Sequence, residues 1–320
     1  VDDLGRTVEI PADVKKALCC GPVECLLIYM LAPAKLGGWT MTPSGEYYDQ
    51  SYSGLLDIGG WYGKKTGNYE TFISLEPDII FFNDADCTTI TIDDAQENFG
   101  SIPVVNINTW DTYDAVPEAV EFMGEIIDAG EQAQKLNSFY NGAVDYVTSI
   151  LAGIPEEERV TVYYAEGKEG LYTDPAGSQH TELIQFCGGI NIADVEDMGG
   201  YGMTGVSMEQ ILIWNPDIII VGRGAEAVVY NTILTSEEWS TVKAVQESMV
   251  YLRPNNPFSW FDNPCGMNEI IGMYWMIKTL YPAQTADLDL KAKVLEFYSD
   301  FYHYDLTDEE YAQLTMNAIP

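Results

Sequence analysis

Basic residues are scarce in this chain. Against 50 Asp and Glu there are 15 Lys and Arg, giving a formal charge of −35 over 320 residues. Phosphate backbones and anionic lipid surfaces are held by dense Lys and Arg, so the balance argues against both as partners. Histidine is scarcer still, with only His180 and His303. A bare Zn²⁺ or Mn²⁺ site usually draws on several His or Cys ligands, which speaks against a free transition-metal cargo. Six cysteines are present without a C-x-x-C pair, and Cys19 and Cys20 are adjacent in an apolar strand, pointing to opposite faces. Free buried thiols are therefore expected in place of a disulfide framework. Apolar runs of about 18 residues are missing, so no membrane-spanning helix is expected. The start, Val1-Asp2-Asp3, has no secretory h-region, which fits a cytosolic chain or one whose targeting segment has been removed. There is also no G-x-S-x-G, P-loop, H-E-x-x-H, or G-x-G-x-x-G following a strand. No enzyme is expected; an enzymatic reading would have to rest on Cys265, His180 or a carboxylate pair.

What is present is a duplication. Segments 60–83 and 199–222 align with a shift of 139 residues and share eight identities in 24 positions: the pairs Gly60/Gly199, Tyr62/Tyr201, Gly63/Gly202, Glu70/Glu209, Pro77/Pro216, Asp78/Asp217, Ile79/Ile218 and Ile80/Ile219. Each copy reads as a Gly-Tyr-Gly loop, a helix, a Pro-Asp stop and an apolar strand. The strands Ile79–Phe82 and Ile218–Val221 are apolar on both faces, as parallel strands buried under helices are. Asn68 is read as a helix N-cap in the first copy, and Ser207 with Gln210 as a capping box in the second.

Around the copies, residues 16–20 and 23–31 read as strand–turn–helix across Gly21-Pro22, 102–107 as a strand, and 160–164 as the strand that restarts the pattern. Residues 1–11 suggest a short hairpin, 35–38 a short strand, 178–187 and 268–280 helices, and 290–301 with 307–314 a helical tail. A helix over 131–151, with Leu136, Phe139, Ala143, Val147 and Ile150 on one stripe, falls between the copies. The expected architecture is α/β: two Rossmann-like lobes with mainly parallel sheets, joined by one long α-helix. The lobes are assigned to residues 1–130 and 153–320, with 131–152 as the linker helix.

Asp3-Leu4-Gly5-Arg6-Thr7-Val8-Glu9-Ile10-Pro11 resembles the start of mature substrate-binding lipoproteins of ABC importers. The paired helix–Pro-Asp–strand units are similar to the hallmark of the class III periplasmic binding proteins, the family with a rigid inter-lobe helix that carries siderophores, haem, cobalamin or molybdate. Trp260-Phe261-Asp262-Asn263-Pro264, Trp275-Met276, Leu280-Tyr281-Pro282 and the tail 296–304 resemble its iron-complex or molybdate branch. Where that branch commonly has Arg-Pro-Pro-Ser after the Asp, this chain has Asn263-Pro264-Cys265-Gly266. The resemblance implies a monomeric, extracytoplasmic protein, periplasmic or lipid-anchored at the cell surface. It would capture an iron–siderophore or similar metal chelate (haem- or cobalamin-like) and deliver it to a permease. A molybdate- or tungstate-type oxyanion is the alternative cargo. No cofactor is expected, although the ligand itself can be a metal complex.

Ligands of open α/β sheets sit beyond the carboxyl ends of the strands, so an inter-lobe cleft is the expected site. The candidates there are Pro22, Trp61, Tyr62, Lys64 and Lys65 from the first lobe, and Tyr172, His180, Tyr201, Met203, Arg223, Trp260 and Phe261 from the second. Tyrosine in both loop copies favours binding, since a turn needs the glycines but not the ring. Arg223, directly after a buried strand, suits a carboxylate, catecholate or oxyanion held bidentately; a structural ion pair with one of the many acids is equally consistent. Trp260 and Phe261 suit a flat ligand, or else a plug under their loop. His180, at a helix start, suits axial ligation of a metal complex, or a plain polar surface position. Glu226 and Asp84 or Asp86, after the matched strands, are the acids expected to dock on permease arginines. A sensor or adhesin on the same fold would bind the same ligand without supporting uptake.

Overall fold

The computed structural model describes residues 1–109, 113–196 and 203–320. They divide into two compact units, Val1–Gly142 with Glu296–Asp305, and Ala143–Leu295 with Leu306–Pro320.

In the first unit the elements are β1 (Ala17–Cys19), α1 (Pro22–Leu31), α2 (Tyr69–Ser74), β2 (Ile79–Phe82), α3 (Ile92–Phe99), β3 (Val104–Asn106) and α4 (Val116–Ile126). The strands are parallel in the order β1-β2-β3, with Ala17 opposite Ile79 and Phe82 opposite Asn106. Every strand residue is buried, which is why these runs lack the polar alternation of a half-exposed sheet. Pro22 opens α1, where its missing N–H costs nothing, and all ten residues of that helix are buried. Residues 1–11 form no ladder. Asp2 instead accepts hydrogen bonds from the Arg6 backbone (2.8 Å) and guanidinium (2.7 Å), while Arg6 Nη2 and the Asp2 carboxylate bond the backbone of β3 at Val104 and Asn106. The short strand expected at 35–38 is a 3₁₀ turn, Pro33–Lys35, followed by a single bridge between Ala17 and Leu36.

Helix α5 (Gly130–Leu151) carries the chain from one unit into the next as one continuous segment of about 33 Å. The second unit holds β4 (Thr161–Ala165), β5 (Tyr172–Thr173), α6 (Glu182–Phe186), β6 (Ile190–Asn191), β7 (Thr204–Gly205), α7 (Met208–Trp214), β8 (Ile218–Val221), α8 (Glu226–Thr235), α9 (Lys243–Gln246), β9 (Val250–Leu252) and α10 (Glu269–Leu280), followed by α11 (Leu290–Phe301) and α12 (Asp308–Leu314). Its main sheet is parallel in the order β6-β4-β8-β9, and β5 pairs antiparallel with β7. The tail does not stay whole: residues 296–305 belong to the first unit. There Tyr29 donates to the Tyr302 carbonyl (2.7 Å), Gln132 donates to the Asp300 carbonyl (2.6 Å), and Phe297 packs on Phe139 with ring centroids 5.4 Å apart. The aromatic run 297–302 is the reason, since it completes that unit's core.

The Pro-Asp halves of the two copies do the same work. Asp78 accepts from the backbone N–H groups of Lys15 and Lys16 at 2.7 and 2.8 Å, stapling β2 to the entry of β1. Asp217 accepts from the backbone N–H of Thr161 at 2.7 Å, stapling β8 to β4. The helix caps differ from expectation in one respect. Ser207 accepts from the Gln210 N–H, but the reciprocal bond of a capping box is not made.

Candidate functional site in the second unit

At the carboxyl end of β4 the chain continues into Glu166, which pairs in a single bridge with Tyr172. At the end of β8 the turn Gly222-Arg223-Gly224 places Arg223 at φ 41°. A Cβ on Gly222 would lie 2.4 Å from the Tyr164 hydroxyl, so the turn closes tightly on β4. The Arg223 guanidinium then lies 3.2 Å from Asp174 Oδ2 and 3.6 Å from Glu166 Oε1. After β9 comes Arg253. It binds Glu226 through Nε and Nη2 at 2.9 and 2.8 Å, donates to the Ser259 hydroxyl at 3.1 Å and forms an ion pair with Asp262. Asp262 also accepts from the Tyr164 hydroxyl at 2.9 Å.

His180 enters from a short 3₁₀ turn capped by Ser178, whose hydroxyl accepts the His180 backbone N–H at 3.3 Å. Its Nδ1 lies 3.2 Å from the Cys265 sulfur. Asp174, His180 and Asp262 each bring one ligand atom within 4.8 Å of the other two. The two aspartates are fully buried and the histidine partly exposed. One nitrogen and two carboxylate oxygens are a donor set that a transition metal accepts. Burial, and then the neighbouring Asp174, push the Glu166 carboxyl up to about 9. At neutral pH it is an acid, so Arg223 and Arg253 are matched or outnumbered by Asp174, Asp262 and Glu226. The cluster has no excess positive charge with which to hold an anion.

The matching strand ends of the first unit are built differently. Glu24, in the first turn of α1, is fully buried; its Oε1 accepts from Thr109 Oγ1 at 2.7 Å, and Oε2 meets no hydrogen-bond partner among the described residues. Burial, and then Asp86, raise its carboxyl to about 8.

Several expected contacts are elsewhere. Trp61 is completely buried, with its ring centroid 4.6 Å from that of Tyr69 and 5.1 Å from that of Phe72, so it is part of the first unit's core and not a ligand wall. A Cβ on the preceding Gly60 would come 2.2 Å from the Cys20 carbonyl oxygen, which also accepts the Trp61 backbone N–H at 2.9 Å, so the chain runs close against the end of β1 beside the buried ring. Pro22 is buried at the start of α1. Trp260 and Phe261 are buried too: Phe261 packs against Tyr164 at 4.6 Å, and Trp260 lies where α10 carries Gly272, whose hypothetical Cβ would be 1.8 Å from the Trp260 carbonyl oxygen. Tyr62 is half-buried and donates to the Thr40 carbonyl at 2.7 Å, while Lys65 donates to its hydroxyl at 2.6 Å. Lys64 and Lys65 are exposed, as are Tyr172 and Met203, and the Met203 backbone N–H bonds Asp174 at 3.2 Å. Tyr201 lies outside the described residues. Of the docking acids, Glu226 is engaged by Arg253, Asp84 is exposed and accepts from the Asn106 amide at 3.1 Å, and Asp86 is partly buried. Asp174, Asp262 and Glu24 are the site residues that sequence reasoning passed over. Two of them carried a local signal: Glu24 is the one acid in an otherwise apolar helix, and Asp262 lies in the family-like stretch 260–264.

Comparison with known proteins agrees with the two sheets. A solute-binding protein of an ABC transporter from Sulfurospirillum deleyianum superposes with a TM-score of 0.89 at 28% identity, covering 98% of this chain and 97% of its own. The molybdate-binding protein MolA of Haemophilus influenzae is 24% identical over 94% of this chain and 90% of its own length. YvrC, an ABC transporter substrate-binding lipoprotein of Bacillus subtilis, is 23% identical over 78% of this chain and 76% of its own. The profile of the periplasmic binding protein family matches residues 39–257. With both the profile and the two parallel sheets in place, the chain belongs to the periplasmic binding protein family, a family of solute-binding proteins.

Proposed function

We propose that the chain is the extracytoplasmic substrate-binding protein of an ABC importer, and that its cargo is a metal chelate of the iron–siderophore class with coordination positions left open. The observation that carries this reading is the convergence of Asp174, His180 and Asp262. A chelate that saturates its metal has nothing to gain from these donors; one with vacant positions can complete its shell on the His180 ring and a carboxylate. The removal of Trp61, Trp260 and Phe261 into the cores points the same way, because a haem- or cobalamin-like ring would want the stacking surface they no longer offer. A second reading, a molybdate-type oxyanion, is favoured by the similarity to MolA over 94% of the chain. Against it stands the engagement of Arg223 and Arg253 by buried acids.

Calorimetric titration with an iron(III) bis-catecholate, an iron(III) tris-catecholate and molybdate separates these readings. The bis-catecholate is expected to bind, the tris-catecholate more weakly, and His180→Ala to weaken the first by roughly tenfold or more, about 1.4 kcal/mol. At 100 times its dissociation constant a ligand adds about 2.7 kcal/mol of stability, so a thermal shift without turnover of the ligand is the companion measurement. Molybdate binding with no response to either catecholate overturns the assignment. For the permease, Asp84 is an exposed acid of the first unit, whereas Glu226 of the second is only partly exposed and is bound by Arg253. Charge reversal at Asp84 is expected to lower uptake without changing cargo affinity; unchanged uptake removes the docking role.

A further inference from the structure

The sheet of the second unit has another end, and the charges there do not meet. Arg159, Asp217 and Met249 stand one or two residues before β4, β8 and β9, which are neighbours in that sheet. They line a cavity of about 560 Å³, a size that takes a small molecule. It lies at the amino ends of the strands, whereas Glu166, Arg223 and Arg253 follow their carboxyl ends; the five residues of β4 alone separate the two ends by about 16 Å.

Three of the four arginines are matched to acids: Arg6 to Asp2, Arg223 to Asp174, and Arg253 to Glu226 and Asp262. Arg159 has no such match. Its side chain is partly buried, its Nε is enclosed, and it meets no hydrogen-bond or ion-pair partner among the described residues. Tyr281 feels its charge but donates its own hydroxyl to the Gly188 carbonyl at 2.6 Å. A buried donor left without an acceptor is rare enough to need a reason, more so in a chain with 50 acids. The acids are at hand, because Glu157, Glu158 and Glu247 line the same cavity as exposed side chains. Among the described residues none of the three forms an ion pair; Glu247 only strengthens, from a distance, the hold of Lys243 on its proton. Asp217 is already engaged by Lys243 at 2.6 Å and by the Thr161 N–H at 2.7 Å. One guanidinium and three carboxylates therefore line one space without touching. An anion alone would be repelled by the acids, and a cation alone would leave the guanidinium unsatisfied. A molecule that carries both charges meets both.

We propose that this cavity binds a small zwitterion of the α-amino-acid class, with its carboxylate on Arg159 and its ammonium on the unpaired glutamates. A guanidinium offers parallel N–H donors that match a carboxylate in geometry as well as charge. Val160 and Met249, both partly buried, add an apolar wall, and the Tyr251 hydroxyl holds the Met249 sulfur at 3.3 Å. That wall suits an aliphatic side chain. The site shares no residue with Asp174, His180 and Asp262, so it does not depend on what the cargo is.

Calorimetric titration with L-leucine, isopentylamine and isocaproate takes the two charges apart while keeping the side chain. Leucine is expected to bind, and each analogue to bind about tenfold more weakly or less, since each lacks one charge-assisted contact. Arg159→Met is expected to weaken leucine by about tenfold or more and to leave isopentylamine no weaker than in wild type. Glu247→Gln, at an exposed position, is expected to cost leucine only about two- to fivefold. Thermal unfolding of both variants shows that the fold is intact. Isopentylamine binding as tightly as leucine would reveal a plain acidic patch, and isocaproate doing so a plain anion site; either result overturns the proposal. So does a wild-type protein that does not bind leucine, or a leucine affinity unmoved by Arg159→Met. The chelate titrations report on the other end of the strands, so neither outcome decides the other.

Discussion

The two units end their parallel strands in opposite ways. In the first, a fully buried acid, Glu24, is met by a hydroxyl, Thr109, with the Asn83 amide bonded behind it at 3.2 Å. In the second, the acids Asp174 and Asp262 are met by guanidinium groups, and a histidine is added. The same scaffold and the same Pro-Asp staple thus carry a protonated acid without a cation on one side and, on the other, acids paired with guanidinium groups next to a second protonated acid, Glu166. The difference follows from what burial does to a carboxyl. Burial raises a carboxyl and a close cation opposes the rise: Glu166, 3.6 Å from Arg223 but beside Asp174, still keeps its proton, whereas Asp174 and Asp262 hold guanidinium groups at closer range.

The sharpest way to break this contrast is to titrate it. Glu24 has its carboxyl raised by burial, and then by Asp86, from 4.5 to about 8. It binds its proton more tightly in the folded chain than in the unfolded one, so its contribution is complete below about pH 4.5 and is lost as pH rises towards 8. A shift of that size corresponds to on the order of 4–5 kcal/mol. Glu24→Gln is expected to flatten the fall in stability of the first unit across this window and to be more stable than wild type at pH 8. Urea unfolding at a series of pH values measures it, and a parallel decline in both proteins would show that Glu24 is already ionised at neutral pH.

The second unit is expected to respond to the loss of a cation. Arg253 and Asp262 are both buried, and Arg253→Met leaves Asp262 as an uncompensated charge. Breaking such a pair costs about 3–5 kcal/mol. The corresponding change in the first unit, Thr109→Val, removes one hydrogen bond from a neutral acid and is expected to cost only about 1–2 kcal/mol. Equal losses in the two variants would mean that both acids are in the same charge state. The double variant Arg253→Met/Asp262→Asn should recover much of the first loss, because no charge is then left buried.

What the sequence made legible tracks how local each feature is. The strands 79–82 and 218–221, their Pro-Asp stops and the Asn68 cap are short-range facts, and the structure reproduces them. Trp61, Trp260 and Phe261 sit in polar surroundings along the chain and read as ligand contacts. Only the folded chain shows the close approaches at Gly60 and Gly272 that go with their burial. The return of residues 296–305 to the first unit is likewise a long-range fact, settled by Tyr29, Gln132 and Phe139 far upstream. Asp174 and Asp262 were hidden for a different reason. Among 50 acids, nothing along the chain says that Asp174 and Asp262 are among those that meet arginines in the fold. His180 stood out because the chain holds only two histidines, and rarity made it readable.

The smallest difference expected between the units lies in the staples, and it tests whether the duplicated half is truly equivalent. Asp78 and Asp217 each accept two hydrogen bonds at the entry of the neighbouring strand, from two backbone N–H groups in one case and from the N–H and hydroxyl of Thr161 in the other. Hydrogen bonds to a charged acceptor contribute about 1.5–3 kcal/mol, so Asp78→Ala and Asp217→Ala should each destabilise their unit by about that much. Asp217 has in addition an ion pair with Lys243 at 2.6 Å, but the lysine is 44% exposed. Screening by solvent limits such a pair to about 1 kcal/mol or less. The two losses are therefore expected to agree within about 1 kcal/mol at 0.15 M salt, with the gap closing further in 1 M salt as the Lys243 attraction is screened. A gap that persists at high salt would mean that the backbone staple itself differs between the copies.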